Sequence, residues 1–301
     1  MIHGTHNAEH DKRNKNVFIS INGELFPRSE AKISVFDSGY LVGDGVWEAM
    51  RLYNGKLAFV DLHLDRLWAG AAAINLVLPF TRKELLQSVQ NVLNANSMES
   101  DVHLRIMVTR GIKKTPSQDP RLTISGPNVV IIAEHKKASE ESRKKGISLF
   151  TSTIRRGSPD YLDPRLNCHS KLHEVQALAQ ALEAGADEAL MLDIRGFVST
   201  CNATNFFIVR GDEVWTSTGA YCMNGITRHN IIRICKENEI TCYQKDFSLY
   251  DVYSADEAFV TGSFGGLTPV RKIDGRNIGT GSDDLMVNRL QNLYKELISN
   301  D

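Results

Sequence analysis

Between residues 46 and 75 the hydrophobic period changes once, and this change constrains the fold more than any other stretch. Residues 46–53 and 56–60 flank Asn54-Gly55, a dipeptide suited to a tight hairpin turn because both positions need positive φ. From Asp61 onward, Leu64, Leu67, Trp68, Ala71 and Ile74 fall on one helical face. A hairpin that runs into an amphipathic helix buries one sheet face beneath that helix. The same turn occurs earlier, where residues 17–21 and 24–26 flank Asn22-Gly23. Thr81-Arg82-Lys83-Glu84 has the form of a capping box, and the helix it opens turns Leu85, Leu86, Val89, Val92 and Leu93 inward. Residues 102–109 and 128–134 read as further strands. Segment 17–134 is therefore predicted to be a small α/β domain, an antiparallel sheet backed by two helices.

The charged run HKKASEESRKKG at 135–146 reads as an interdomain linker. Beyond it, 147–153 reads as a strand, and 171–184 as an amphipathic helix burying Leu172, Val175, Leu178, Ala179 and Leu182. Strands at 188–193, 197–200, 206–209 and 213–216 form a meander turning at Arg195-Gly196 and Arg210-Gly211. A helix over 227–238, a short strand over 257–261 and a closing helix over 284–297 complete a larger domain, 147–301. Two α/β domains with a cleft between them are the economical picture. The polar stretch 1–16 reads as a flexible tail without signal-peptide character.

With 35 Lys+Arg against 36 Asp+Glu the net charge is −1, which argues against a nucleic-acid partner. No apolar run reaches the length of a membrane span. Cys168, Cys201, Cys222, Cys235 and Cys242 form an odd set with no C-x-x-C, and no His stands at metal-ligand spacing. Neither a disulfide framework nor a metal site is expected, and a cytoplasmic location is.

Three stretches could carry chemistry. In GFVSTCNATNFF, at 196–207, an apolar strand is interrupted by Ser199, Thr200, Cys201, Asn202, Thr204 and Asn205. Gly225-Ile226-Thr227-Arg228 leads into a helix and reads either as an ordinary Thr cap or as a phosphate site. Thr261-Gly262-Ser263-Phe264-Gly265-Gly266 is a second donor loop without the ending of a nucleotide-binding P-loop. Arg66 lies beside the apolar stripe of the first helix, either solvated or reaching an anion. Lys171 follows Ser170, a plausible N-cap, which places it at a first helical position where the dipole disfavours a cation. A partly desolvated amine there would have the lowered pKa of a Schiff-base lysine; the alternative is a solvated lysine.

The run DSGYLVGDGVWEAMRLYNGKLAFVDLHLDRLWAGAAAINL at 37–76 resembles the fold type IV pyridoxal-phosphate enzymes, particularly the D-amino-acid and branched-chain aminotransferases. So do Ser170-Lys171-Leu172, GADEALMLD at 185–193, NATNFF, GITR and TGSFGGLTPV, in the family's order, from about Val17 to the C-terminus. The resemblance implies a two-domain α/β fold, a small antiparallel-sheet domain plus a larger β-barrel-like domain with surrounding helices. It implies pyridoxal 5′-phosphate as cofactor, with Lys171 as the lysine that binds it and moves the proton. Arg66, Ile226, Thr227 and Ser263 would hold the phosphate. Trp47, His103, Arg105, Phe264 and Gly265 would meet an amino donor and a 2-oxo acid. The 110–121 loop would reach over the site of a partner subunit, since family members are usually homodimers with the active site at the interface.

The chain departs from the family in one position above all. Where the pattern has the Glu that keeps the pyridine nitrogen protonated, this chain has Thr200, which cannot hold a proton by charge. Another acid or a water chain would then supply the proton, or the ring works neutral, or the chemistry is not ordinary transamination. The family's Asn beside the lysine is likewise replaced, by His173. An aminotransferase is the leading expectation. The alternatives are a lyase or racemase of the same fold, similar to aminodeoxychorismate lyases, or a non-catalytic pyridoxal-phosphate binder.

Overall fold

The computed structural model describes residues 4–5, 11–279 and 285–301. The chain divides into two compact units. The smaller comprises Glu9–Lys137 and Leu166–Lys171; the larger comprises Met1–Ala8, Ala138–Arg165 and Leu172–Asp301. No helix among the described residues is long and apolar enough to cross a membrane.

In the smaller unit six strands form one antiparallel sheet. Their order is Glu24–Pro27, Phe18–Ile21, Asn128–His135, Val102–Thr109, Gly45–Tyr53 and Lys56–Leu57. Both Asn-Gly turns adopt the positive φ that their sequence demands: Asn22 54° with Gly23 88°, and Asn54 45° with Gly55 80°. Helices Val60–Ala73 and Arg82–Ala95 cover one face, burying Leu64, Leu67, Ala71, Leu85, Val89, Val92 and Leu93 against Val46, Met50, Leu104 and Ile106. The Thr81–Glu84 capping box forms in both directions.

The larger unit is built on a nine-stranded mixed sheet. Its path runs Cys242–Gln244, Glu213–Thr216, Asn205–Arg210, Glu257–Gly262, Gly266–Ile273, Ile147–Thr151, Glu188–Leu192, Val198–Cys201, with Arg276–Asn277 paired to Gly266–Ile273. The last strand of that path returns against an interior one. Cys201 N donates to Thr204 O (2.8 Å), and Ser217 Oγ donates to Ser199 O (2.7 Å), so the sheet curls into a half-barrel. One face is filled by Leu149, Leu190, Phe206, Ile208, Val260 and Val270. On the other, Phe207 and Phe259 stack at 4.9 Å.

The described residues add detail to several sequence expectations. The boundary between the units, at Lys137–Ala138, falls inside the 135–146 run, in which His135 ends a strand and Glu140–Lys145 is a helix capped by Ser139. Within 1–16 two described residues are bonded: Asn14 exchanges hydrogen bonds with His135 (2.8 Å each), and the buried Thr5 donates from its N–H to Glu188 Oε1 (3.1 Å). The closing helix is Met286–Asn300, and the expected start at Asp284 lies outside the described residues.

The helix Leu172–Glu183 is turned the other way from the reading of its large residues. It buries Ala177 and Ala181 against Ala189 and Met191, while Leu172, Val175 and Leu182 are 70%, 60% and 54% exposed. Small residues let this helix approach the strand closely, leaving its bulky apolar stripe outward.

Candidate functional site

The strand Gly45–Tyr53 presents its alternate residues to opposite faces. Val46, Glu48, Met50 and Leu52 are buried, and Trp47 and Ala49 lie on the face away from the helices. Leu166–Lys171 is laced to the edge of this strand. Trp47 N donates to Asn167 O (3.0 Å), Asn167 Nδ2 to Trp47 O (2.6 Å), His169 N to Gly45 O (3.1 Å) and Trp47 Nε1 to Cys168 O (2.9 Å). Lys171 therefore emerges beside Trp47, its Nζ 5.9 Å from the indole centroid. It precedes the helix Leu172–Glu183 instead of occupying the expected first helical position.

Arg105 stands opposite Ala49 in the sheet register and stacks on the same indole, Cζ to centroid 4.2 Å. Burial lowers its guanidinium pKa from the ordinary value. The smaller unit thus gathers Lys171, Trp47 and Arg105. His103, opposite Arg51, follows on the same strand face as Arg105.

Arg66 stands in a separate buried cluster of that unit. Its Nε and Nη2 donate to Glu48 Oε1 and Oε2 at 2.6 and 2.8 Å, a two-point clamp, and His63 Nδ1 lies 2.7 Å from Glu48 Oε2. Burial alone would raise the Glu48 carboxyl, but the charge and hydrogen bonds of Arg66, with the bond to His63, hold it below the usual carboxylate range. Burial pushes His63 down despite its carboxylate neighbour. Sequence reasoning missed Glu48 and His63. The signal was available, because Glu48 shares the strand phase of Val46, Met50 and Leu52 and so places a carboxylate on the core side.

In the larger unit the polar part of GFVSTCNATNFF is buried and internally bonded. Thr200 Oγ1 donates to Thr204 O (2.7 Å) and accepts from Asn205 Nδ2 (3.4 Å). Its proton is spent, so toward any other partner Thr200 is an acceptor. Asn205 Nδ2 also donates to Met223 O (2.9 Å), and a Cβ at Gly225 would lie 2.3 Å from Asn205 Oδ1. Asn205 thereby fixes the turn into the helix Ile226–Glu237. That helix is capped by Gly225, not Thr227, and has no side-chain cap, leaving first-turn N–H groups for another acceptor.

Thr227 is inside the helix, and its hydroxyl meets Tyr294 Oη at 3.2 Å. Ser263 sits in the turn between Glu257–Gly262 and Gly266–Ile273; Phe264 and Gly265 are buried, and Gly265 O accepts from Arg143 Nε (3.3 Å). Gly262 packs on Thr204, with a Cβ there 3.3 Å from Thr204 Cγ2. Thr200, Ile226, Thr227 and the 262–266 loop are therefore joined through Thr204, Asn205 and Tyr294. Glu188, also unsuspected, is buried and accepts from Thr204 Oγ1 (2.9 Å). His173, two residues past Lys171, pairs with Arg156 Nη1 (2.8 Å) and Glu174 Oε2 (3.2 Å).

The larger unit's donors fit a phosphorylated ligand. The helix end has no side-chain cap, and Thr261 Oγ1, on the strand entering the loop, is buried without a hydrogen-bond partner. The family model for amino-transferase class IV matches residues 45–273, and the chain belongs to this family. It is 39% identical over 277 residues to branched-chain-amino-acid aminotransferase-like protein 2 of Arabidopsis thaliana, covering 92% of this chain and 49% of that one. The chain thus spans about half the length of this relative. It is 34% identical to a putative branched-chain-amino-acid aminotransferase of Methanocaldococcus jannaschii, covering 93% of this chain and 96% of that one. It also superposes on the crystal structure of a branched-chain amino acid aminotransferase with pyridoxamine 5′-phosphate from T.th. at a TM-score of 0.88 and 29% identity, covering 95% and 96% of the two chains.

The Glu48 cluster generates a stability prediction. Its folded-state pKa lies below the unfolded one, so its contribution is complete above the unfolded value of about 4.3 and is lost as pH falls through the folded value. Glu48→Gln should lower the unfolding free energy at pH 7 by about 3 kcal/mol, since it leaves Arg66 facing a neutral amide, and flatten the acid-side decline. Denaturant titrations across pH check this; equal stability of both proteins at pH 7 contradicts it.

Proposed function

We propose that the chain is a pyridoxal-phosphate-dependent aminotransferase that moves an amino group between a small amino acid or amine and a 2-oxo acid. The observation that carries this reading is the shared indole: Trp47 bears both the Lys171 amine and the Arg105 guanidinium. A reactive amine beside a partly buried cation suits a substrate whose carboxylate must be held while its α-carbon loses a proton. The cofactor, when bound, supplies the carbonyl that takes up the amino group and a ring that accepts electron density. Lys171 holds that cofactor and carries the proton from the substrate's α-carbon.

Arg66, clamped by Glu48, offers a guanidinium to the phosphate. Ile226 and Thr227 offer helix-end N–H groups, and Thr227 and Ser263 offer hydroxyls. Thr200, whose proton goes to Thr204 O, accepts from the ring nitrogen only when that nitrogen is protonated, and it has no charge to keep the proton there. On the smaller unit His103, Arg105 and Trp47, and on the larger Phe264 and Gly265, are the residues we propose for the substrate. A cytoplasmic location is supported by five cysteines that are all free thiols; recovery in another cell fraction contradicts it.

A panel of amino donors against pyruvate and 2-oxoglutarate tests the activity. Transfer to a 2-oxo acid should be seen and should fall about 10²- to 10⁴-fold in Lys171→Ala. A Lys171→Ala protein turning over at the native rate overturns the assignment. Product accumulating while the cofactor is recovered unchanged points instead to a lyase or racemase.

The assembly we propose is a homodimer with its interface beside the active site. Leu172, Val175 and Leu182 form an exposed apolar stripe, and Leu172 directly follows Lys171. Light scattering should give twice the chain mass for the wild type and the single chain mass for a Val175→Glu/Leu182→Glu protein. A wild-type monomer contradicts this assembly.

A further inference from the structure

We propose that Tyr294, on the closing helix Met286–Asn300, is a positioning residue that aims the Thr227 hydroxyl at the cofactor phosphate. The inference rests on the phosphate role proposed for Thr227. Tyr294 is 6% exposed and lies far along the chain from every stretch marked by its motif. Its hydroxyl is 3.2 Å from Thr227 Oγ1. Its ring packs on the other donor loop, where a Cβ at Gly266 would stand 3.6 Å from Tyr294 Cε1. One side chain therefore touches both loops.

The direction of the hydrogen bond decides what Tyr294 does. A phenol and an aliphatic hydroxyl can each donate or accept, so such a pair has two arrangements. An anion at the helix N-terminus accepts only, so it selects the arrangement in which Thr227 donates to it. Thr227 Oγ1 then presents lone pairs elsewhere, and Tyr294 fills that position as donor. The resulting chain, tyrosine to threonine to anion, is cooperative, each bond polarising the next. The backbone donors of the same turn are already fixed by Asn205 against Gly225, with a Cβ there 2.3 Å from Asn205 Oδ1. Without Tyr294 the hydroxyl is the one donor of this turn whose direction is unset.

Tyr294→Phe keeps the ring against Gly266 and removes only the hydroxyl. The readout is the release rate of cofactor from the full chain loaded with pyridoxal phosphate or with pyridoxal, which has no phosphate. Tyr294→Phe should release pyridoxal phosphate about three- to tenfold faster, the worth of one neutral hydrogen bond, and pyridoxal at the wild-type rate. Thr227→Val should do at least as much, and the double variant should match Thr227→Val alone, because Tyr294 acts through Thr227. Equal acceleration of both ligands by Tyr294→Phe overturns the inference and reduces Tyr294 to packing. So does wild-type release of pyridoxal phosphate from Tyr294→Phe, or additive effects in the double variant. If Thr227→Val itself leaves pyridoxal phosphate release unchanged, the phosphate role of Thr227 fails first.

Discussion

The lacing of Asn167–His169 onto Gly45–Trp47 is the contact on which the proposed chemistry depends. Backbone bonds of 3.0 and 3.1 Å, the Asn167 amide and the indole N–H place a short segment, distant in sequence, on the edge of the smaller unit's sheet. Lys171 is the last residue of that segment. Its position is thus inherited from a rigid strand whose register with Val102–Thr109 also sets Arg105. Were Lys171 carried only by the helix after it, its amine would follow that helix and not the indole. The Trp47 ring is the shared reference for the amine and the cation.

The larger unit presents neutral donors, the first-turn N–H groups of the helix Ile226–Glu237 and the Thr227 hydroxyl, which support the anion role proposed above. Thr200, Thr204 and Asn205 are buried and satisfy one another and the turn at Met223–Gly225, while the first-turn N–H groups of the following helix stay uncommitted. Glu188 anchors Thr204 from beneath. The polar interruption in an otherwise apolar strand is therefore a scaffold for a helix end. In the smaller unit the same economy appears with charge, as Glu48 fixes Arg66 through two short bonds.

Much of this was legible in the sequence where one local rule decides the outcome. The Asn-Gly hairpins, the Thr81 capping box and the helix face carrying Leu64, Leu67 and Ala71 need nothing beyond their own neighbours. The donor loops and Lys171 could be marked, and the family resemblance assigned them roles. The failures share a cause, a partner remote in sequence. Ala177 and Ala181 win the buried face from Leu172 and Val175 because Ala189 and Met191 offer a surface fitted to small residues. Gly225 displaces Thr227 as the cap because Asn205 presses against it. Tyr294 carries no motif, and only the packing of the last helix shows what its hydroxyl meets.

The central claim is that Lys171, placed by the sheet edge, is the residue that holds the cofactor. Borohydride reduction of the pyridoxal-phosphate-loaded protein, followed by peptide mapping, tests it most directly. The account predicts a phosphopyridoxyl group on Lys171 and on no other lysine. Labelling of a different lysine, or none, contradicts it.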